Sequence, residues 1–112
     1  MNTGGIKSIV VAGNRGYASV GDSGIAIAKY GGMVVAKDRV TAITGDYGSV
    51  SMEYGGTAYV GIGGSAKGGN DSVIVIDYID GNRLRKKVGY VGEDLKPNTW
   101  YKLNSEFEFV EA

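Results

Sequence analysis

Few residues in this chain are equipped to do chemistry. It has no cysteine and no histidine, so thiol chemistry, disulfides and the commonest general base and metal ligand are absent. Carboxylates remain. Asp22 and Asp38 lie sixteen residues apart; such a pair is the least that acid–base hydrolysis or a cation site would need. Calcium-binding rolls, however, carry a dense carboxylate ladder of Gly-Gly-x-Gly-x-Asp type. Here the sixteen-residue series runs Asp22, Asp38, Tyr54, Asn70, and its companion runs Asn14, Tyr30, Asp46, Ile62, Tyr78. Aromatics interrupt both, so these residues are expected to shape corners. Two carboxylates at a narrow corner without a cleft make a poor acid–base site. The expectation is a non-enzyme, with no catalytic residue, cofactor or metal.

Two further groups could recognise a ligand. Arg83, Arg85, Lys86 and Lys87 form a basic cluster. It would suit an anionic partner, but acidic residues follow soon after, and a charged sheet edge guarded against aggregation accounts for it better. Trp100, Tyr101, Phe107 and Phe109 could make a ligand platform, but they read more simply as core or cap. The formal net charge of zero argues against nucleic-acid binding driven by bulk charge.

The elements that position these residues come from one repeat. From Ser8 to Ile79 the chain reads as nine octads of the form Gly-x-(Ala/Val)-x-(Ala/Val)-x-x-x, in phase without a gap. Third residues run Val10, Ala18, Ala26, Val34, Ala42, Val50, Ala58, Ala66, Ile74; fifth residues run Ala12, Val20, Ala28, Ala36, Thr44, Met52, Val60, Gly68, Ile76. Alternation puts both columns on one face of a strand. The octads end in turn residues, as in Gly13-Asn-Arg-Gly16 and Gly45-Asp-Tyr-Gly48, where glycine, Asn and Asp tolerate positive φ. A short strand plus a tight corner at fixed length predicts an all-β fold, a β-solenoid. Small inward residues suit a thin, two-walled roll.

Outward residues decide how many octads make a coil. With two, one wall presents Ile9 and Val11, Ile25 and Ile27, Thr41 and Ile43, Thr57 and Tyr59, Val73 and Val75. The other presents Tyr17 and Ser19, Met33 and Val35, Ser49 and Ser51, Ser65 and Lys67. One wall is β-branched and apolar, the other mixed to polar. Three octads per coil would erase that sorting. Two per coil gives about four and a half coils and roughly 20 Å of stacked sheet at ~4.8 Å per coil. Residues 65–71 form the least regular octad, where a bulge or mobile corner is expected.

Around the repeat, residues 1–7 read as an N-terminal extension that frays or caps the first coil through Ile6, residues 8–79 as the solenoid, and residues 80–112 as a C-terminal hairpin cap, all in one structural domain. Asp80-Gly81-Asn82 is a hairpin turn between Val73–Ile79 and Arg83–Val91. Trp100–Leu103 and Glu106–Val110 pair as a second hairpin across Asn104-Ser105. The start lacks signal-peptide architecture, and no apolar run approaches the ~20 residues of a membrane span. The expected location is the cytoplasm, or a virion assembled there.

Octads such as Gly16-Tyr-Ala-Ser-Val-Gly-Asp-Ser23 and Gly24-Ile-Ala-Ile-Ala28 resemble, in repeat style, the head β-rolls of trimeric autotransporter adhesins. More closely, the Gly-Asn-Arg and Gly-Asp-Tyr corners with the tail Val91-Gly-Glu-Asp-Leu-Lys-Pro-Asn-Thr-Trp-Tyr-Lys-Leu103 resemble uncharacterised phage and bacterial octapeptide-repeat proteins. That resemblance implies a β-solenoid of phage or mobile-element origin, and no catalytic residues to carry over.

The apolar wall is the strongest functional lead, since a soluble monomer rarely exposes more than a few hundred Å² of contiguous apolar surface. Ile9, Val11, Ile25, Ile27, Thr41, Ile43, Thr57, Tyr59, Val73 and Val75 are the expected protein interface. A second copy, the C-terminal hairpins or an outside partner would cover them, with a homodimer favoured. Ice binding fits poorly, because only Thr41 and Thr57 stand on this wall. The expected function is a protein-interaction module that self-associates and binds or inhibits a host bacterial protein of the anti-defence type. The alternative is a structural or adhesive virion module.

Overall fold

A computed structural model describes the backbone of Asn2–Gly4 and all of residues 9–112. The strands are β1 (Asn2–Gly4), β2 (Ile9–Val11), β3 (Tyr17–Val20), β4 (Ile25–Ile27), β5 (Met33–Ala36), β6 (Thr41–Ile43), β7 (Ser49–Ser51), β8 (Thr57–Val60), β9 (Ser65–Lys67), β10 (Val73–Asp80), β11 (Arg83–Tyr90), β12 (Tyr101–Leu103) and β13 (Phe109–Glu111). They form two sheets, ordered β1-β3-β5-β7-β9-β12-β13 and β11-β10-β8-β6-β4-β2. Each repeat strand from β2 to β8 pairs in parallel with the strand sixteen residues on: Ile9 with Ile25, Ile25 with Thr41, Thr41 with Thr57, Thr57 with Val73. The molecule is therefore a β-solenoid with two octads per coil.

The third and fifth residues of the octads point inward. Ala18, Ala26, Val34, Ala42, Val50, Ala58, Ala66 and Ile74 are all sealed from solvent. From Gly16 to Ser72 the first residue of each octad is buried or half-buried too, and several glycines here lie close against the fifth residue of the octad before them. A Cβ at Gly16 would sit 2.8 Å from Ala12 Cβ, one at Gly32 2.6 Å from Ala28 Cβ, and one at Gly56 2.7 Å from Met52 Sδ. Where the fifth residue is Gly68, the first residue of the next octad is the larger, buried Ser72. Close packing makes this compensation necessary, because an interior tolerates neither a void nor an overlap of one methyl group.

The corners share one conformation. The eighth residue of each of the first eight octads lies in the left-handed region whatever its type: Arg15 (φ 54°), Ser23 (59°), Gly31 (64°), Arg39 (54°), Tyr47 (60°), Gly55 (65°), Gly63 (76°) and Asp71 (62°). From Arg15 to Gly55 its N–H donates to the carbonyl fifteen residues ahead, as in Arg15 to Tyr30 (2.7 Å), Arg39 to Tyr54 (2.7 Å) and Tyr47 to Ile62 (2.9 Å). Long and absent side chains alternate up each edge. Arg15 covers Gly31, Arg39 covers Gly55, and Tyr47 covers Gly63, where an added Cβ would lie 2.6 Å from the Tyr47 ring.

The structure departs from expectation in three places. Asn2–Gly4 already pairs in parallel with β3, Asn2 opposite Ala18, so sheet structure starts before the expected boundary at Ser8. The suggested capping by Ile6 falls outside the described residues. The octad at 65–71 has no bulge: Ser65–Lys67 stays in register with Ser49–Ser51. The gap left by Gly68 is bounded by Ser72 and by the Met52 methyl. The last hairpin pairs Leu103 with Phe109, so its loop spans residues 104–108 instead of two residues. Asn104 Oδ1 accepts from the N–H groups of Glu106 (2.9 Å) and Glu108 (3.0 Å), which holds that wider loop.

The C-terminal segment caps the last coil. Val91, Leu95 and Tyr101 join the core, with Leu103 and Phe109 packed against it. Val91 N–H donates to Ser72 O (2.9 Å) and Asn98 N–H to Gly68 O (2.7 Å). Gly89 leaves room for the cap, since a Cβ there would lie 2.6 Å from Leu95 and 2.9 Å from Phe109.

Two glycines test this packing. A Cβ at buried Gly69 would overlap the Glu53 carbonyl oxygen, whereas Gly13 has open space around it. Gly69→Ala is expected to lower stability by about 3 kcal/mol, the upper end of ordinary overpacking costs. Gly13→Ala should be neutral or stabilising by up to ~1 kcal/mol. Urea midpoints read with an unchanged slope check both.

Candidate interaction surfaces

The sixteen-residue register gathers the expected interface residues. Ile9, Ile25, Thr41, Thr57 and Val73 form one outward row of the second sheet, and Val11, Ile27, Ile43, Tyr59 and Val75 form the next. Nine of the ten are exposed or half-buried, led by Ile9 at 71% and Val11 at 51%. Val75 alone is buried, at 5%; Tyr59 and Val88 flank it in register. The C-terminal hairpin does not cover this face, because β12 and β13 extend the opposite sheet.

The wall runs further than the repeat. β11 pairs antiparallel with β10, placing Tyr90 beside Val73, Val88 beside Val75 and Leu84 beside Ile79. Tyr90, Val88, Leu84 and Ile79 are all exposed and continue the apolar face. Sequence reading missed them because the cationic residues of Arg83–Tyr90 dominate that stretch. The alternation of Leu84, Lys86, Val88 and Tyr90 was the available signal. The basic side chains are spoken for locally: Lys86 Nζ meets Asp77 Oδ1 (2.7 Å), Arg85 Nε meets Asp80 Oδ2 (3.0 Å), and Lys87 Nζ approaches Glu108 Oε1 (3.7 Å). β11 is the edge strand of its sheet, where charge discourages further pairing.

The opposite wall, from Tyr17 and Ser19 to Ser65 and Lys67, is half-buried throughout. Ser49 Oγ lies 3.4 Å from Ser65 Oγ. Lys67 Nζ sits 5.6 Å from the Trp100 ring centre, a cation–π contact that ties the cap to this wall.

Corner carboxylates bind backbone. Asp38 N–H donates to Asp22 Oδ1 (3.4 Å) and Ile62 N–H to Asp46 Oδ1 (3.0 Å). Asp22 and Asp38 are thus brought together, but with one carboxylate holding the next coil's amide. Among the described residues no three His, Cys, Asp or Glu side chains cluster closely enough to hold a metal ion. Among the described residues no helix is long and apolar enough to cross a membrane.

One titration is perturbed at this edge. Tyr54 Oη donates to Asp71 Oδ2 (3.1 Å). That hydrogen bond, reinforced by the carboxylate's charge, raises the tyrosine pKa above 10.0, because both oppose loss of the phenolic proton. Comparison with protein-family models, curated proteins and solved structures found no match. The surface itself is therefore the basis for a functional reading.

Since the folded pKa of Tyr54 is raised, its contribution to stability is present below pH ~10 and lost as pH rises through the folded value. Asp71→Asn keeps a residue tolerant of positive φ but removes the charge. Tyrosine Cζ chemical shifts followed against pH should show Tyr54 titrating above its normal range in the native protein and near it in the variant.

Proposed function

We propose that this protein is a non-enzymatic interaction module. It self-associates through the apolar wall and offers its remaining surface to a bacterial host protein. The observation that carries this reading is the uncovered wall: two rows of Ile, Val, Thr and Tyr stacked in register and prolonged by Val88 and Tyr90 on β11. The molecule measures 39 × 30 × 20 Å. Two sheets ~10 Å apart with their outward side chains fill the shortest dimension, so the wall belongs to the broad face. That face is large enough for the ~800 Å² per partner of a standard interface.

The energetics favour a second copy as the occupant. A standard interface buries about 1,600 Å², little more than half of it apolar, which gives roughly 20 kcal/mol of gross burial. That exceeds the about 4–15 kcal/mol lost in association. A flat, self-similar array packs on itself as aligned sheets do, and a two-fold axis closes the assembly so that no filament grows. The resemblance of the octads and tail to phage proteins supports a phage source, and with it a host defence protein as the partner.

Light scattering after size exclusion should give twice the 11.7 kDa chain mass. Ile27→Lys should halve that mass while leaving the β-sheet circular dichroism unchanged. Monomers for both proteins would refute self-association, and a trimer would favour the virion reading.

A further inference from the structure

A second attachment point lies where β10 leaves the solenoid. Its first half, Val73–Ile76, pairs with β8, and that register stops at Ile76 opposite Val60. Asp77–Asp80 continues outward, paired only with β11. Among the described residues, no strand lies along the other edge of this segment, and no backbone hydrogen bond outside the β10–β11 ladder reaches it. The two edges of this hairpin differ. Arg83, Arg85 and Lys87 line the β11 side, whereas the β10 side borders an open slot of about 300 Å³. Ile62, Ile76, Ile79, Leu103 and Phe107 supply most of the slot's apolar lining. Unpaired strand backbone beside an apolar slot is the arrangement by which a sheet accepts an added strand: main-chain hydrogen bonds give affinity, and the slot selects a side chain.

Backbone strain falls at the same place. Phe107 has φ 60° in a hairpin loop where glycine or Asn would be relaxed. Asn104 O accepts from its N–H (3.0 Å), and its ring stacks on Tyr78 with centres 4.5 Å apart at 20°. Strain of this kind persists at ligand clamps, where it holds a group in a position the relaxed chain would not give. The charges indicate the sign of the partner. Asp77 and Asp80 are neutralised by Lys86 and Arg85, while Lys102 in the slot lining and Arg83 at the hairpin tip make no ion pair among the described residues. Glu106, beside Phe107, likewise has no ion pair among the described residues, so the local balance is cationic by one charge.

We propose that an acidic, extended segment of a partner protein adds to the β10 edge at Asp77–Asp80 and seats one bulky apolar side chain in the slot. This rests on the interaction-module reading only in taking a protein as the ligand; it uses the open edge of β10, which borders the extended wall at Ile79.

The probe is a capped, fluorescein-labelled heptapeptide, Glu-Val-Glu-Phe-Glu-Val-Glu, titrated into the full chain and followed by anisotropy. Saturable binding is expected. The counterpart with lysine for glutamate should bind at least about tenfold more weakly, because like charges then meet. N-methylation of alternate peptide amides should abolish binding in one phase and spare it in the other. Lys102→Glu, a surface change, should weaken binding about tenfold. Phe107→Gly relaxes the loop and removes the ring, so it should weaken binding at least about fivefold while the fold persists. Amide resonances of Asp77–Asp80 should shift with peptide. Equal affinity for both peptides, no saturable binding, or indifference to N-methylation in both phases would overturn the proposal. So would shifts of those amides with protein concentration alone, which would make a second copy the occupant. Ile27→Lys should bind the peptide as the native protein does, so failure of the wall dimer and failure of this site are read separately.

Discussion

The hydrogen-bond ladder between successive coils is the constraint on which the rest of this structure depends. A parallel ladder fixes coil length, since one inserted residue would turn every inward side chain outward. At each corner the ladder also needs an N–H aimed along the stacking axis, and a left-handed eighth residue supplies it. Arg15, Arg39 and Tyr47 accept that conformation at a cost of order 1–2 kcal/mol each. The amide they present would otherwise be unpaired in a stack with little access to water. Arg15, Arg39 and Tyr47 then lie over the glycine of the following coil, so the edge is packed as well as hydrogen-bonded.

This constraint explains what the sequence made legible. The octad period, two octads per coil and the inward columns can all be read directly, because period-two alternation and sixteen-residue stacking sort the same residues. The wall residues from Ile9 to Val75 follow from that sorting alone. Corner conformation is less legible. Glycine, Asn and Asp advertise positive φ, but Arg and Tyr do not, and here the ladder overrides their preference. Phe107 hides for the same reason: an aromatic in the left-handed region contradicts local propensity, so a two-residue turn at Asn104-Ser105 looked adequate. The Gly68–Ser72 compensation was equally invisible, because it depends on which inward residues meet across a corner.

The interior also governs the outside. Two walls spaced by Ala and Val leave no room inside for Ile or Tyr in most coils, so large residues must face outward or be omitted. Strand propensity alone would then place β-branched residues on both walls alike. It does not. The first sheet shows Ser19, Ser49, Ser51, Ser65 and Lys67 outward, while the second shows Ile9, Val11, Ile25, Ile27 and Ile43. Both walls have the same backbone, the same ladder and the same corner geometry, so folding supplies no reason for the difference.

The sheet edges sharpen that contrast. β11 carries Arg83, Arg85 and Lys87, and the last coil is closed by Val91, Leu95 and Tyr101, so those exposed ends are defended against non-specific pairing. The broad apolar face has no comparable defence: no lysine interrupts Ile9 to Val75, and the cap that could have folded over it extends the other sheet instead. A chain that guards the β11 edge and its last coil yet leaves one face bare is consistent with a face meant for a specific contact. An open stretch of edge, Asp77–Asp80, is bordered by a slot and a strained aromatic ring. Both undefended surfaces meet at β10, whose first half carries Val73 and Val75 of the wall and whose second half carries the open edge. A protein held at that edge would stand beside the wall's final coil without covering the rows from Ile9 to Ile43.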